Sequence, residues 1–232
     1  MHTIYRGDYL KEKIGFIGFG SMGQALADGL LAAGIVKKEQ LYACAQHWEK
    51  LKHNTETRGM HACKTAEDTI LQSDIILIAI KPDQIPEVLG SVKELLSDKI
   101  VISLAAGMFY DTYELLLLPK THHLSIIPNM PVSVCEGIIL WEQHNSLNAA
   151  EAALVEALLS SVALIEKLDS EQMTIGATVA GCGPAFAAMF VEAVGDGAVA
   201  YGLPREAGYR LCEQMLTGTA KQLMVQGMHP AV

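Results

Sequence analysis

The chain has 232 residues, half of them hydrophobic, with a formal net charge of −9 and a pI near 5.3. That length and apolar content supply a sizeable core for one large domain or one and a half ordinary ones, and the acidic balance without any local Lys/Arg cluster excludes a bulk nucleic-acid binder. The five cysteines (Cys44, Cys63, Cys135, Cys182 and Cys212) are dispersed without a CxxC pair, which points to a reducing, cytoplasmic setting and away from a disulfide framework or a metal site.

Met1 to Glu12 reads as a polar, partly flexible lead-in without the apolar segment of a secretory leader. Ile14, Phe16 and Ile17 then form a short apolar strand, and Gly18-Phe19-Gly20-Ser21-Met22-Gly23 follows at once. From Ser21 the pattern is helical, with Met22, Leu26, Gly29/Leu30 and Ala33 on one face and Gly34 at the C′ position. In a strand–turn–helix of this kind, Gly18 makes the turn, Gly20 lets a pyrophosphate approach the backbone, and Gly23 lets the helix pack close to the strand. The free N–H groups of the helix then face the phosphates. The spacing therefore predicts a dinucleotide site.

Leu41 to Ala45 reads as the second strand. Many NAD enzymes close this strand with an acid that binds the ribose 2′-hydroxyl. Here the strand ends in Ala45-Gln46-His47, and His47 and Lys50 are placed to meet a 2′-phosphate, so NADPH is the expected cofactor, with NADH an alternative. Ile75 to Ile80 is a continuous apolar run, as for a parallel strand covered on both faces. It ends in Lys81-Pro82 before a helical stretch from Asp83 to Leu96. Lys99 to Leu104 is a further strand, closed by Ala105-Ala106-Gly107. Both strand ends belong on the carboxyl edge of the sheet, where small residues admit a flat nicotinamide ring.

Phe109 to Leu118 is predicted helical, and Leu124 to Ile127 is a strand stopped by Pro128-Asn129-Met130-Pro131. His122 and His123, adjacent in sequence, are expected on opposite faces and as no metal pair. Gly137 to Trp141 is a strand, Leu147 to Ser161 an amphipathic helix, and Val162 to Ile165 the last strand. Strands and helices alternate through Lys167, which predicts a doubly wound α/β domain over residues 1–167. Residues 168–232 read as all-helical: a helix opened by Gly183-Pro184 and ended by Gly202, then another from Pro204 to Gly227. The uncharged run from Gln172 to Val191 is long enough for a bilayer. Its glycines and proline make it instead a helix buried in a core or subunit interface, so no membrane partner is expected. A segment this small and apolar is expected to complete itself in a homodimer or a larger homo-oligomer.

Taken in order, GFGSMG, Ala79-Ile80-Lys81-Pro82, Ser103-Leu104-Ala105-Ala106-Gly107, Pro128-Asn129-Met130-Pro131, Gly181-Cys182-Gly183-Pro184-Ala185-Phe186, Gly202-Leu203-Pro204-Arg205 and His229-Pro230 resemble the pyrroline-5-carboxylate reductase family, from Ile14 to Val232. The resemblance implies a Rossmann-like domain with a mostly parallel sheet, then a helical dimerisation domain. It implies hydride transfer from NAD(P)H to the C=N carbon of 1-pyrroline-5-carboxylate, the last step of proline synthesis. Carried over by position, Gly18 to Gly23 hold the pyrophosphate, and Ile80-Lys81-Pro82 and Ala105-Ala106-Gly107 flank the nicotinamide half. Asn129, Pro131, Val132 and the Cys182-Gly183 turn lie towards the substrate. No catalytic acid–base pair stands out: Glu192 and Asp196 share a helical face and read as a structural pair or a dimer contact, with a catalytic part the alternative.

The sequence departs from the family pattern at Ser125, where members often carry Arg, and at Met130, where they often carry Thr. The family also continues past His-Pro into a Ser-Pro-Gly-Gly-Thr-Thr segment that serves the substrate carboxylate and ring nitrogen; this sequence stops at Val232, before it, so a fragment or a truncated gene with an incomplete substrate site is the expectation. A non-catalytic, dinucleotide-binding regulatory relative is the alternative. A β-hydroxyacid dehydrogenase would need a Lys on the first helix of the second domain, and none occurs between Lys167 and Lys221.

Overall fold

The computed structural model describes residues 10–227 and 229; most of the lead-in lies outside them. Leu10, within them, is tied down by its N–H to the Ile35 carbonyl at 3.0 Å. The chain divides into two compact units, Met1–Gly181 and Cys182–Val232.

The first unit runs β1 (Ile14–Ile17), α1 (Ser21–Ala33), β2 (Leu41–Cys44), α2 (Trp48–Glu56), β3 (His61–Ala62), α3 (Ala66–Leu71), β4 (Ile75–Ile78), α4 (Ile85–Val92), β5 (Ile100–Ser103), α5 (Tyr110–Leu116), β6 (His122–Pro128), β7 (Gly137–Glu142), α6 (Ala149–Ser160), β8 (Ala163–Leu168) and α7 (Ser170–Ala177). The strands form one eight-stranded sheet in the order β3-β2-β1-β4-β5-β6-β7-β8. All pairings are parallel except β6 with β7. The order reverses between β1 and β4, which opens a crevice at their carboxyl ends.

The continuous apolar run of β4 has its reason in the two-sided cover. Ile75 and Leu77 join the cluster that includes Leu26 and Leu30 of α1 and Leu158 and Leu159 of α6. Ile76 and Ile78 join the opposite cluster, with Ile85 and Leu89 of α4 and Tyr113 of α5. His122 and His123 do point apart: His122 pairs with Glu151 at 2.7 Å, and the buried His123 pairs with Glu114 at 2.8 Å.

The two compact units divide after Gly181. Met173 of α7 is fully buried against Leu140 and Ala180, so the helix after β8 belongs to the sheet domain's core. The helix predicted to open at Gly183 therefore opens earlier, at Ser170, and continues through a π-turn over Thr178–Cys182.

The second unit is a helical pair, α8 (Gly183–Ala200) and α9 (Arg205–Gln226). Gly202 (φ 92°) and Gly227 (φ 61°) end the two helices as predicted. Gly195 lies against the Tyr209 ring, and Arg205 pairs with Asp196 at 2.6 Å. Within the single chain α8 is not the buried helix that its composition suggests: Phe186 and Met189 are each 65% exposed, and Phe190 and Val194 are exposed too. Among the described residues, Ser170–Ala200 is the one helical stretch long and apolar enough to cross a membrane.

Candidate functional site

A cavity of about 590 Å³ opens where β1, β2 and β4 end. Its floor is the glycine turn. Gly18 has φ +92°, and its N–H reaches the Cys44 carbonyl at 3.0 Å. Gly20 stands at the N-cap of α1, and a Cβ there would meet nothing within 4 Å, so its backbone is open to a ligand. A Cβ on Gly23 would lie 3.1 Å from the Gly18 carbonyl, the close helix–strand packing that the motif implies. Gly18, Phe19, Gly20 and Ser21 line the cavity. Met22 does not: its side chain packs with the core around Leu26 and Leu30.

Phe19 is held from several sides. Its ring meets Phe16 edge-on at 5.5 Å, its carbonyl accepts from Gln24 Nε2 at 3.2 Å, and the Arg58 guanidinium lies 5.7 Å from its ring centroid. Arg58 is itself fixed by a fork to both oxygens of Asp28, at 2.6 and 2.8 Å. The end of α2 is thereby clamped to α1, and the turn between β1 and α1 is braced.

The far wall follows β2. Gln46 and His47 line the cavity, joined by Lys50 and Asn54 of α2 and by Lys64 beyond β3. Lys64 Nζ lies 5.4 Å from the Trp48 ring centroid. With Lys81, four side chains that carry or can carry positive charge face this space, and no Asp or Glu lines it. Cys44 also lines it; burial pushes the thiol up, so this part of the wall stays neutral. Lys64 escaped the sequence reading, because only the parallel pairing of β2 with β3 brings it beside His47.

Past β4, Ile80 and Lys81 line the cavity, whereas Pro82 opens a 3₁₀ turn and Gln84 takes the lining place. Ala105, Ala106 and Gly107 follow β5, one strand further on and outside the cavity wall. Gly107 has φ +80°. The Ala105 N–H donates to Ser103 Oγ at 3.2 Å, and Ser103 bonds in turn to the Tyr113 hydroxyl.

Burial, with the Glu142 carboxylate adding, pushes the Tyr113 phenol up to about 12. An unfolded tyrosine ionises near 10, so the unfolded state loses this proton first. The contribution is whole below about pH 10 and lost as pH rises through about 12. Tyr113→Phe is therefore expected to remove about 2 kcal/mol of the alkaline loss of stability, read as a smaller shift of the urea midpoint between about pH 8 and about pH 12.

The residues expected near the substrate separate. Val132 is fully buried between α1 and Gly137, so its side chain belongs to the core. Pro131 is half-buried in the 3₁₀ turn Met130–Val134. Asn129 is 5% exposed, and its carboxamide is bonded at both ends within the protein. Cys182 and Gly183 open the second unit.

Residues 13–107 match the family described as NADP oxidoreductase coenzyme F420-dependent, and residues 170–232 match pyrroline-5-carboxylate reductase dimerisation. The chain is 43% identical to the pyrroline-5-carboxylate reductase of Treponema pallidum, over 94% of this chain and 84% of that protein. It is 32% identical to pyrroline-5-carboxylate reductase 3 of Macaca fascicularis, over 95% of this chain and 80% of that protein. Among solved structures, the Plasmodium falciparum pyrroline carboxylate reductase with NADP bound superposes with a TM-score of 0.85 at 30% identity, covering 94% of this chain and 80% of that one. From its glycine turn to its helical pair, the chain belongs to the pyrroline-5-carboxylate reductase family.

Proposed function

We propose that the chain reduces 1-pyrroline-5-carboxylate to L-proline with NADPH, the first unit binding the cofactor and the second assembling the homo-oligomer. The observation that carries the cofactor half is the cavity at the glycine turn, lined by His47, Lys50, Lys64 and Lys81 and by no acid. The substrate half rests on membership of the family.

The residues present fit a dinucleotide phosphate. The open backbone at Gly20 and the N-terminus of α1 would hold the pyrophosphate. His47, Lys50 and Lys64 would meet the 2′-phosphate, where an acid would repel it. The nicotinamide half would lie against Ile80-Lys81 and the Ala105–Gly107 turn. The chemistry that the cofactor supplies is a hydride to the C=N carbon of the imine. A cyclic imine is readily protonated, so the chain need supply no strong acid; it orients the reactants and excludes water. Ile17, Ala79, Ile80 and Val88 make the nearby wall apolar.

The exposed apolar residues of α8 and α9, Phe186, Met189, Phe190, Leu211 and Met215 among them, would be covered by a second copy; a homodimer is the smallest assembly that does so. The five unpaired thiols support a reducing, cytoplasmic setting.

The test is oxidation of NADPH and of NADH by the purified chain with pyrroline-5-carboxylate. Turnover favouring NADPH supports the reading; NADPH binding without turnover would transfer support to a non-catalytic dinucleotide-binding role. Lys64→Ala is expected to weaken NADPH about tenfold, the loss of one charge-assisted bond, and to leave NADH unchanged. Titration of both nucleotides at low and high salt checks this, because the added 2′-phosphate makes NADPH affinity the more salt-dependent of the two and Lys64→Ala should remove part of that difference.

A further inference from the structure

Pro184 stands just inside the helical run that extends unbroken from Ser170 to Ala200. A proline within a helix has no N–H for the carbonyl four residues back, and its ring crowds that oxygen. Here the carbonyl is that of Ala180, a buried residue. The helix widens at this point into the π-turn Thr178–Cys182, and Asn129 Nδ2 donates to the Ala180 carbonyl at 2.9 Å. The side chain of Asn129 thus supplies the donor that Pro184 lacks. Its Oδ1 accepts from the Ile138 N–H at 2.8 Å, and its own N–H donates to the Ile138 carbonyl at 3.1 Å. One buried carboxamide therefore fastens the end of β6, the start of β7 and the π-turn together.

We propose that Asn129 is a positioning residue of the reductase, which sets imine turnover by holding the π-turn and does not itself bind substrate. The inference rests on the reading that this chain reduces an imine, with the substrate near Gly181. Gly181 is exposed, and a Cβ there would meet nothing within 4 Å, so the held turn leaves bare backbone accessible. Single π-turns inside α-helices are frequent at functional sites. Asn129 lies outside the cofactor cavity wall, so its role is separable from cofactor binding.

Asn129→Asp keeps the acceptor for Ile138 and removes the donor for Ala180. It is expected to leave NADPH affinity within about twofold and to lower kcat/KM for pyrroline-5-carboxylate about 10- to 100-fold, the effect of a buried carbonyl stripped of its partner. Hydrogen exchange of the amides from Val179 to Phe186 is expected to quicken about tenfold or more, with exchange in β1 and α1 unchanged. Asn129→Ser, whose hydroxyl is too short to reach either the Ala180 carbonyl or the Ile138 N–H, tests the same split between NADPH affinity and turnover should the aspartate variant not fold. The proposal is overturned if kcat/KM stays within about threefold of the unsubstituted chain, if NADPH affinity and kcat/KM fall in proportion, or if exchange at the π-turn does not change. If the unsubstituted chain binds NADPH but never turns over the imine, the reductase reading fails; faster exchange would then leave Asn129 a purely structural strut, which also overturns its part in turnover.

Discussion

Gly18→Ala is expected to weaken NADPH binding about 100-fold or more while leaving a folded protein. Gly18 sits at φ +92°, where an L side chain costs about 1–2 kcal/mol. The larger effect is steric. A Cβ would lie 2.5 Å from the Ala79 carbonyl oxygen and 2.6 Å from Ile80 Cγ2. Ala79 cannot withdraw, because its N–H is bonded to the Ile17 carbonyl at 2.8 Å as the continuation of the β1–β4 ladder. The turn itself must move, and with it the backbone at Gly20. Strain and displacement together reach about 3 kcal/mol, or about two decades in affinity. Gly34→Ala is the control: φ is +68°, yet a Cβ would meet nothing within 4 Å, so it carries the backbone strain alone. Titration with NADPH should separate them, with Gly34→Ala binding normally; equal weakening in both would locate the effect in general loosening and not in the turn.

The sheet's first half was legible because its signals are local. The apolar run of β1, the glycines and the period of α1 lie within one stretch, and the chemistry of a tight turn dictates them. The stretch from α2 to α3 was not. β3 has two residues at the sheet edge, too short for any alternation, and its register comes from pairing with β2. Lys64 owes its place to that register. Asn129 was legible as a special residue but not in its task, since its partner Ala180 lies 51 residues away. Val132 misled for the same reason: what buries it is α1, far upstream. The second unit shows a different limit. The apolar composition of α8 announced burial, but composition is the same whether the covering surface comes from one chain or from a second copy.

Gly29→Ala is expected to lower the melting temperature by about 5–12 °C, against its effect on helix propensity alone, which would favour alanine by about 1 kcal/mol. Gly29 is buried on α1 where the helix crosses the 3₁₀ turn Met130–Val134. A Cβ there would overlap the Val132 carbonyl oxygen and lie 3.2 Å from Val162 Cγ1. The obstacle is backbone, and that backbone is pinned. The Val132 N–H donates to the Asn129 carbonyl at 3.2 Å, the Val132 carbonyl accepts from Cys135 at 3.2 Å, and the Val132 side chain already fills the space beside Gly137. Neither partner can shift without opening the core between α1, β7 and α6. Overpacking of this kind outweighs the propensity gain and leaves a net loss of about 2–4 kcal/mol. The glycine turn lies two turns up the helix, so NADPH affinity of the folded protein should stay near normal. Calorimetry with and without NADPH reads both effects: a lower midpoint with the ligand-induced rise intact assigns Gly29 to packing, whereas a raised midpoint would mean that the turn at Val132 yields and helix propensity decides.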